Sequence, residues 1–62
     1  MLRKEAIPRD PAILLSFINT KLRDQYSSLE ELCDDMELEE NDLKLILGTL
    51  SYEYNEELNK FI

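Results

Sequence analysis

Apolar residues recur at helical spacing through the first half of the chain. Placed at about 100° per residue, Ile13, Leu14, Leu15, Phe17, Ile18 and Leu22 cover an arc of roughly 200°, against the roughly 100° stripe of an ordinary surface helix. Ser16, Asn19, Thr20 and Arg23 share the narrow remainder. The pattern predicts a helix over residues 10–24. Asp10 suits the N-cap, where its carboxylate accepts a backbone N–H bond. Pro11, at the first helical position, gives up only a donor that would be orphaned anyway. Lys21 and Arg23 suit the negative end of the helix dipole. So wide an arc needs cover from more than one side, by the rest of the chain or by another chain. If Phe17 is fully buried, its truncation to alanine would cost about 3–5 kcal/mol. Lys21 falls on the same arc, so its stem is expected to lie on Leu14 or Phe17. Its ammonium would then reach solvent or an acid of residues 24–57.

Two narrower stripes follow. Leu29, Leu32, Cys33 and Met36 stand at i, i+3, i+4 and i+7, with Glu30, Glu31, Asp34 and Asp35 on the outer face. Ser28 with Glu31 forms an S-x-x-E capping box, and Ser27 with Glu30 fits as well, so this helix starts at one serine or the other. Glu37-Leu38-Glu39 makes a turn. A third helix is predicted from Glu40 to Leu50, burying Leu43, Ile46, Leu47 and Leu50, with Glu39, Glu40 and Asp42 at the positive end of its dipole. Leu45 projects nearly opposite that stripe, and Gly48 stands on the same outer side, where it costs about 1 kcal/mol relative to alanine within a helix.

The ends are less regular. Residues 1–9 lack periodicity and read as an arm, with Pro8 discouraging helix at Ile7 and Ile7 expected to touch the core. In the tail, Tyr52-Glu53-Tyr54 and Lys60-Phe61-Ile62 flank Asn55-Glu56-Glu57-Leu58-Asn59. Tyrosines favour strands and asparagines suit turns, Asn59 tolerating the left-handed region, so a β-hairpin is expected. Tyr54, Leu58, Phe61 and Ile62 also fit one helical face, which keeps a short fourth helix as the alternative.

Charge and composition narrow the function classes. The chain has 62 residues, enough for one small domain whose core rarely supplies more than about 3–5 kcal/mol of net stability. Its net charge of −7 is unevenly spread. Residues 1–23 carry five cations against two acids, whereas residues 24–57 carry twelve acids and only Lys44. Acids on a small protein solubilise it; the sharper reading is a basic end docking on an acidic body, within or between chains. The one cysteine, Cys33, lies in an apolar stripe and reads as a packed small hydrophobe in a reducing compartment. With neither a signal-peptide pattern nor a run of about 20 apolar residues, a cytoplasmic location is expected and no membrane partner.

Catalysis finds little support. There is no histidine, and Ser16, Ser27, Ser28 and Ser51 have no recognisable base beside them. No cofactor or metal is expected. The acidic run over residues 34–42 lacks the alternating ligands and turn glycine of a calcium loop, and reads as a solvated face.

Ser28-Leu29-Glu30-Glu31-Leu32-Cys33, then Met36-Glu37-Leu38, then Leu43, Ile46, Leu47 and Leu50 resemble the spacing of a winged helix-turn-helix. Glu37 stands where glycine is usual in that turn, and Glu39 where a small N-cap residue is. A closer resemblance, through Asp10-Pro11, Leu14-Leu15-Ser16, Asn19-Thr20-Lys21-Leu22-Arg23-Asp24, Ser28-Leu29, Leu32-Cys33 and Tyr52-Glu53-Tyr54, is to the short bacterial proteins grouped as domain of unknown function 4250. That resemblance implies a stand-alone bacterial protein and no particular activity.

The expected fold is therefore mainly α: an arm over residues 1–9, then a three-helix, helix-turn-helix-like domain over residues 10–62 with a C-terminal hairpin. DNA binding would place Glu39, Glu40, Asn41 and Asp42 in the major groove, three carboxylates against phosphates with only Lys44 to offset them. Sequence-specific DNA binding is accordingly the weaker reading. A non-catalytic protein-interaction module, for a protein partner or a second copy of the chain, is the leading one. Its candidate contact residues are Leu45 and Gly48, with Asn41 and Lys44 as a polar rim.

Overall fold

The first helix, α1, spans Pro11–Asp24 in the computed structural model, which describes residues 7–62. Asp10 caps it as expected. Its Oδ1 accepts the Ala12 N–H at 2.9 Å and the Ile13 N–H at 3.4 Å, and Pro11 occupies the first turn. The buried row is Leu14, Ile18 and Leu22, one residue per turn. Leu15 and Phe17 are half-buried against that core, and Ile13 is exposed. Phe17 thus falls short of full burial, the condition for the larger truncation cost. The helices and the hairpin cover the arc along the Leu14–Leu22 line and leave its margins to solvent. Lys21 shields one margin, its Nζ standing 5.5 Å from the centre of the Phe17 ring, a cation–π arrangement that covers the half-exposed aromatic.

Helix α2, Leu29–Met36, is capped by Ser28, whose Oγ accepts the Glu31 N–H at 3.1 Å. Ser27 is used too: Glu31 Oε1 reaches back to its N–H at 3.1 Å and its hydroxyl at 2.9 Å. Leu29, Leu32 and Cys33 are buried and Met36 is half-buried, as the stripe requires. The helix stops because Glu37 takes the left-handed conformation at φ 58° and ψ 46°. That is a glycine's place, and a side chain there costs about 1 kcal/mol. Glu39 begins the next helix with no side-chain cap bond, leaving the acids of the first turn, Glu40 and Asp42, to complement the dipole.

Helix α3 spans Glu40–Gly48, two residues shorter than predicted. The Thr49 hydroxyl donates to the Ile46 carbonyl at 2.6 Å, and Ser51 turns left-handed at φ 65°. The Tyr52 N–H then closes on the Leu47 carbonyl at 3.2 Å. This turn swings Leu50 off the helical face, so the buried row is only Leu43 and Leu47. Ile46 and Leu50 are 38% and 37% exposed. Gly48 is the last helical residue rather than an interior one.

The tail is a hairpin, with no fourth helix. Strands β1 (Tyr54–Asn55) and β2 (Lys60–Phe61) pair antiparallel, Tyr54 opposite Phe61 and Asn55 opposite Lys60. The Asn55 side chain accepts the Leu58 N–H at 2.9 Å, and Asn59 is left-handed at φ 55°. Phe61 is fully buried and tilts against the Tyr54 ring, 5.5 Å between centroids. The core is a single cluster of leucines from all three helices with Ile18, Cys33 and Phe61, and half-buried Ile7 packs on it. Arg3 and Lys4, the start of the expected basic arm, lie outside the described residues. Among those described, no helix is long and apolar enough to cross a membrane.

Candidate functional site

Asn41, Lys44, Leu45 and Gly48 fall at i, i+3, i+4 and i+7 and share the outer face of α3. Leu45 is 72% exposed. Gly48 has ordinary helical backbone, and nothing lies within 4 Å of where a Cβ would stand. Neither backbone conformation nor close approach therefore requires glycine there. Lys44 is tethered along the helix, its Nζ 3.0 Å from Glu40 Oε2. The structure divides the four residues. Lys44 and Gly48 border a hollow of about 390 Å³ that the tail completes with Tyr52, Glu53, Tyr54 and Phe61. Leu45 and Asn41 stand outside it on the open surface. The two tyrosines were legible as strand formers, but their place beside Gly48 depends on the turn at residues 49–51.

A second feature escapes any reading of the polar strip on α1. Asn19 is half-buried and its amide binds β2 twice: Nδ2 donates to the Phe61 carbonyl at 3.1 Å, and Oδ1 accepts the Phe61 N–H at 2.8 Å. Asn59 completes the clamp, its Nδ2 donating to the carbonyls of Leu22 and Tyr26 at 3.1 and 3.0 Å. The Tyr54 hydroxyl donates to Asn59 Oδ1 at 2.6 Å and accepts the Leu29 N–H at 3.2 Å. Three polar side chains thus tie the hairpin to the end of α1 and the start of α2.

Between α1 and the hairpin runs an open groove of about 770 Å³, its walls including Leu15, Thr20, Arg23, Tyr52, Leu58 and Lys60. Arg23 bonds its neighbour Asp24 through Nε at 2.8 Å and holds that carboxyl below the usual carboxylate range. Lys60 makes no ion pair with any described residue.

Reactive chemistry is sparse on these surfaces. In the acidic run, Asp35 accepts the Tyr26 hydroxyl at 2.5 Å and Glu40 holds Lys44. Among the described residues, no three carboxylates or thiols converge as a metal ion would need. Cys33 is buried, and loss of solvation, helped by the nearby Glu40 charge, pushes its thiol up to about 11. The folded value lies above the unfolded one, so the neutral thiol's contribution is complete below about pH 8.5 and is lost as pH rises toward about 11. Melting curves through that window should fall more steeply for the parent than for Cys33→Ala. Equal slopes would show that the thiol does not titrate with folding.

No curated protein and no solved structure matches the chain. A family pattern does match, over residues 8–61, and so takes in all three helices, the hairpin and the Asn19–Tyr54–Asn59 clamp. The chain belongs to the family described as domain of unknown function (DUF4250).

Proposed function

We propose that this chain is a non-catalytic, cytoplasmic protein-interaction module that binds through the outer face of α3. The observation that carries the reading is the pairing of Leu45, 72% exposed, with Gly48, a glycine no steric contact in the fold demands. An apolar projection beside a gap, rimmed by Asn41 and Lys44, is chemistry suited to a protein surface. A nucleic acid fits the same face poorly. Glu39, Glu40 and Asp42 would meet phosphates at the start of α3, and Lys44 already neutralises Glu40. The helix order followed by a hairpin keeps a winged-helix-like relationship as the ground for testing DNA at all.

Leu45→Glu is expected to leave the melting temperature nearly unchanged, because exposed substitutions stay within about 0.5 kcal/mol. Binding should be lost with it, since a carboxylate would be buried without a partner. Size exclusion of parent and mutant, alone, in extract of the producing cells, and with duplex DNA at low salt, checks both. A mutant that unfolds places Leu45 in the core. A mutant that keeps its stability and every association of the parent removes the contact surface. A shift that needs duplex DNA would favour the nucleic-acid reading. Gly48→Ala tests the gap itself: filling open space at a helical position, it should raise stability by about 0.4–1 kcal/mol while weakening the association.

A further inference from the structure

The groove between α1 and the hairpin carries charge opposite to the acid that flanks Leu45. Its walls are apolar at Leu15, Tyr52 and Leu58, and cationic at Arg23 and Lys60. Two of the few cations of a chain with net charge −7 therefore line one recess. Of these, Lys60 has no carboxylate partner among the described residues. Beside Leu45 the Lys44 charge is offset by Glu40, which leaves Asp42, one turn before the exposed leucine, as the uncompensated charge among the described residues; Gly48, one turn after, lets a wall approach the helix closely.

We propose that the occupant of this groove is a second copy of the chain. Leu45 of one molecule seats between α1 and the hairpin of the next, with Asp42 set against Lys60, Arg23 being already bonded to Asp24. This rests on the reading of Leu45 as a contact residue, and it names the partner. Charge complementarity selects the occupant: an acid beside an exposed apolar side chain is what the groove asks for, and the chain itself displays that pair, Asp42 and Leu45, on α3. In the proposed contact the projection and the recess are different sets of residues and meet heterologously. Each molecule gives one and receives one, and association continues beyond a pair unless a ring closes.

That geometry has a distinctive test. Sedimentation equilibrium of the parent from micromolar to millimolar concentration should show mass rising past that of a dimer. Leu45→Glu removes the projection and Leu58→Glu spoils the recess. Leu58 is 57% exposed, so the second change should leave the fold intact. Each mutant alone should associate about tenfold or more weakly than the parent. An equimolar mixture should recover a dimer and stop there, because one sound projection meets one sound recess and nothing is left to extend the chain. If Leu58→Glu proves unfolded, Lys60→Glu takes its place in the same mixture. A mixture that stays monomeric, or a groove mutant that associates like the parent, overturns the groove as the seat. A parent that is monomeric at every concentration overturns the second copy as occupant. The Leu45 surface falls separately, only if Leu45→Glu keeps every association the parent makes.

Discussion

Phe61→Ala should leave the chain largely unfolded at 25 °C. The ring is fully buried and sits where β2 meets α1, in the same cluster as Leu14, Ile18 and Leu22. Removing a buried phenylalanine costs about 3–5 kcal/mol, counting both the lost transfer energy and the cavity left behind. That reaches the net stability, rarely more than about 3–5 kcal/mol, that a core of this size supplies. Phe17→Ala is the comparison, because it removes the same group from a half-buried position. Its cost should be roughly half as large, and the mutant should still melt cooperatively. Circular dichroism through a thermal ramp distinguishes the two. Equal loss from both would mean that Phe17 contributes to the core as a fully buried ring does.

Asn59→Ala should cost about 2–4 kcal/mol, more than a polar residue in a turn normally commands. Two effects add. The carbonyls of Leu22 and Tyr26 lose their donor in a part-buried setting, and Tyr54 loses the acceptor of its hydroxyl. The left-handed backbone at φ 55° adds about 1 kcal/mol once the residue is alanine. Asn59→Gly separates the contributions, since glycine accepts the backbone angle while still lacking the amide. Urea denaturation should place it between the parent and Asn59→Ala. If glycine restores the parent's midpoint, the clamp contributes nothing and only the backbone matters.

These two residues also mark how far the sequence could be read. The start of α1 was legible because its signal is local: Asp10 and Pro11 act on the turn they adjoin. The serine cap of α2 was legible to within one residue, and Glu37 and Glu39 were visible as departures from ordinary turn chemistry. The tail stayed divided between strand and helix because Tyr54, Leu58 and Phe61 satisfy both periods. What decides it is Asn19, 42 residues before the strand it binds. Periodicity places Asn19 on a solvent strip and holds no information about so distant a partner. The end of α3 was missed for a nearer reason. Thr49-Leu50-Ser51 contains no glycine or proline, and an apolar Leu50 in phase with Leu43 and Leu47 continued the pattern past the residue where the chain turns. Of the candidate site, Leu45 was legible as a break in the stripe. The hollow beside Gly48 and the groove along α1 were not, because both are made by the hairpin's position.

Glu53 and Ile62 exchange both backbone bonds at 2.9 Å, so in the alternation of an antiparallel ladder the next pair, Tyr54 and Phe61, is not bonded to itself. The N–H and C=O of Phe61 therefore point away from β1, on the flank where a further strand would add. A two-stranded ribbon with such a flank open is a template for another chain, which proteins must blunt if they are to stay soluble. Here the blunting is done by one amide. Asn19 imitates the donor and acceptor of a neighbouring strand at that residue, but presents nothing behind it to extend the ladder. Sheet growth ends at the helix.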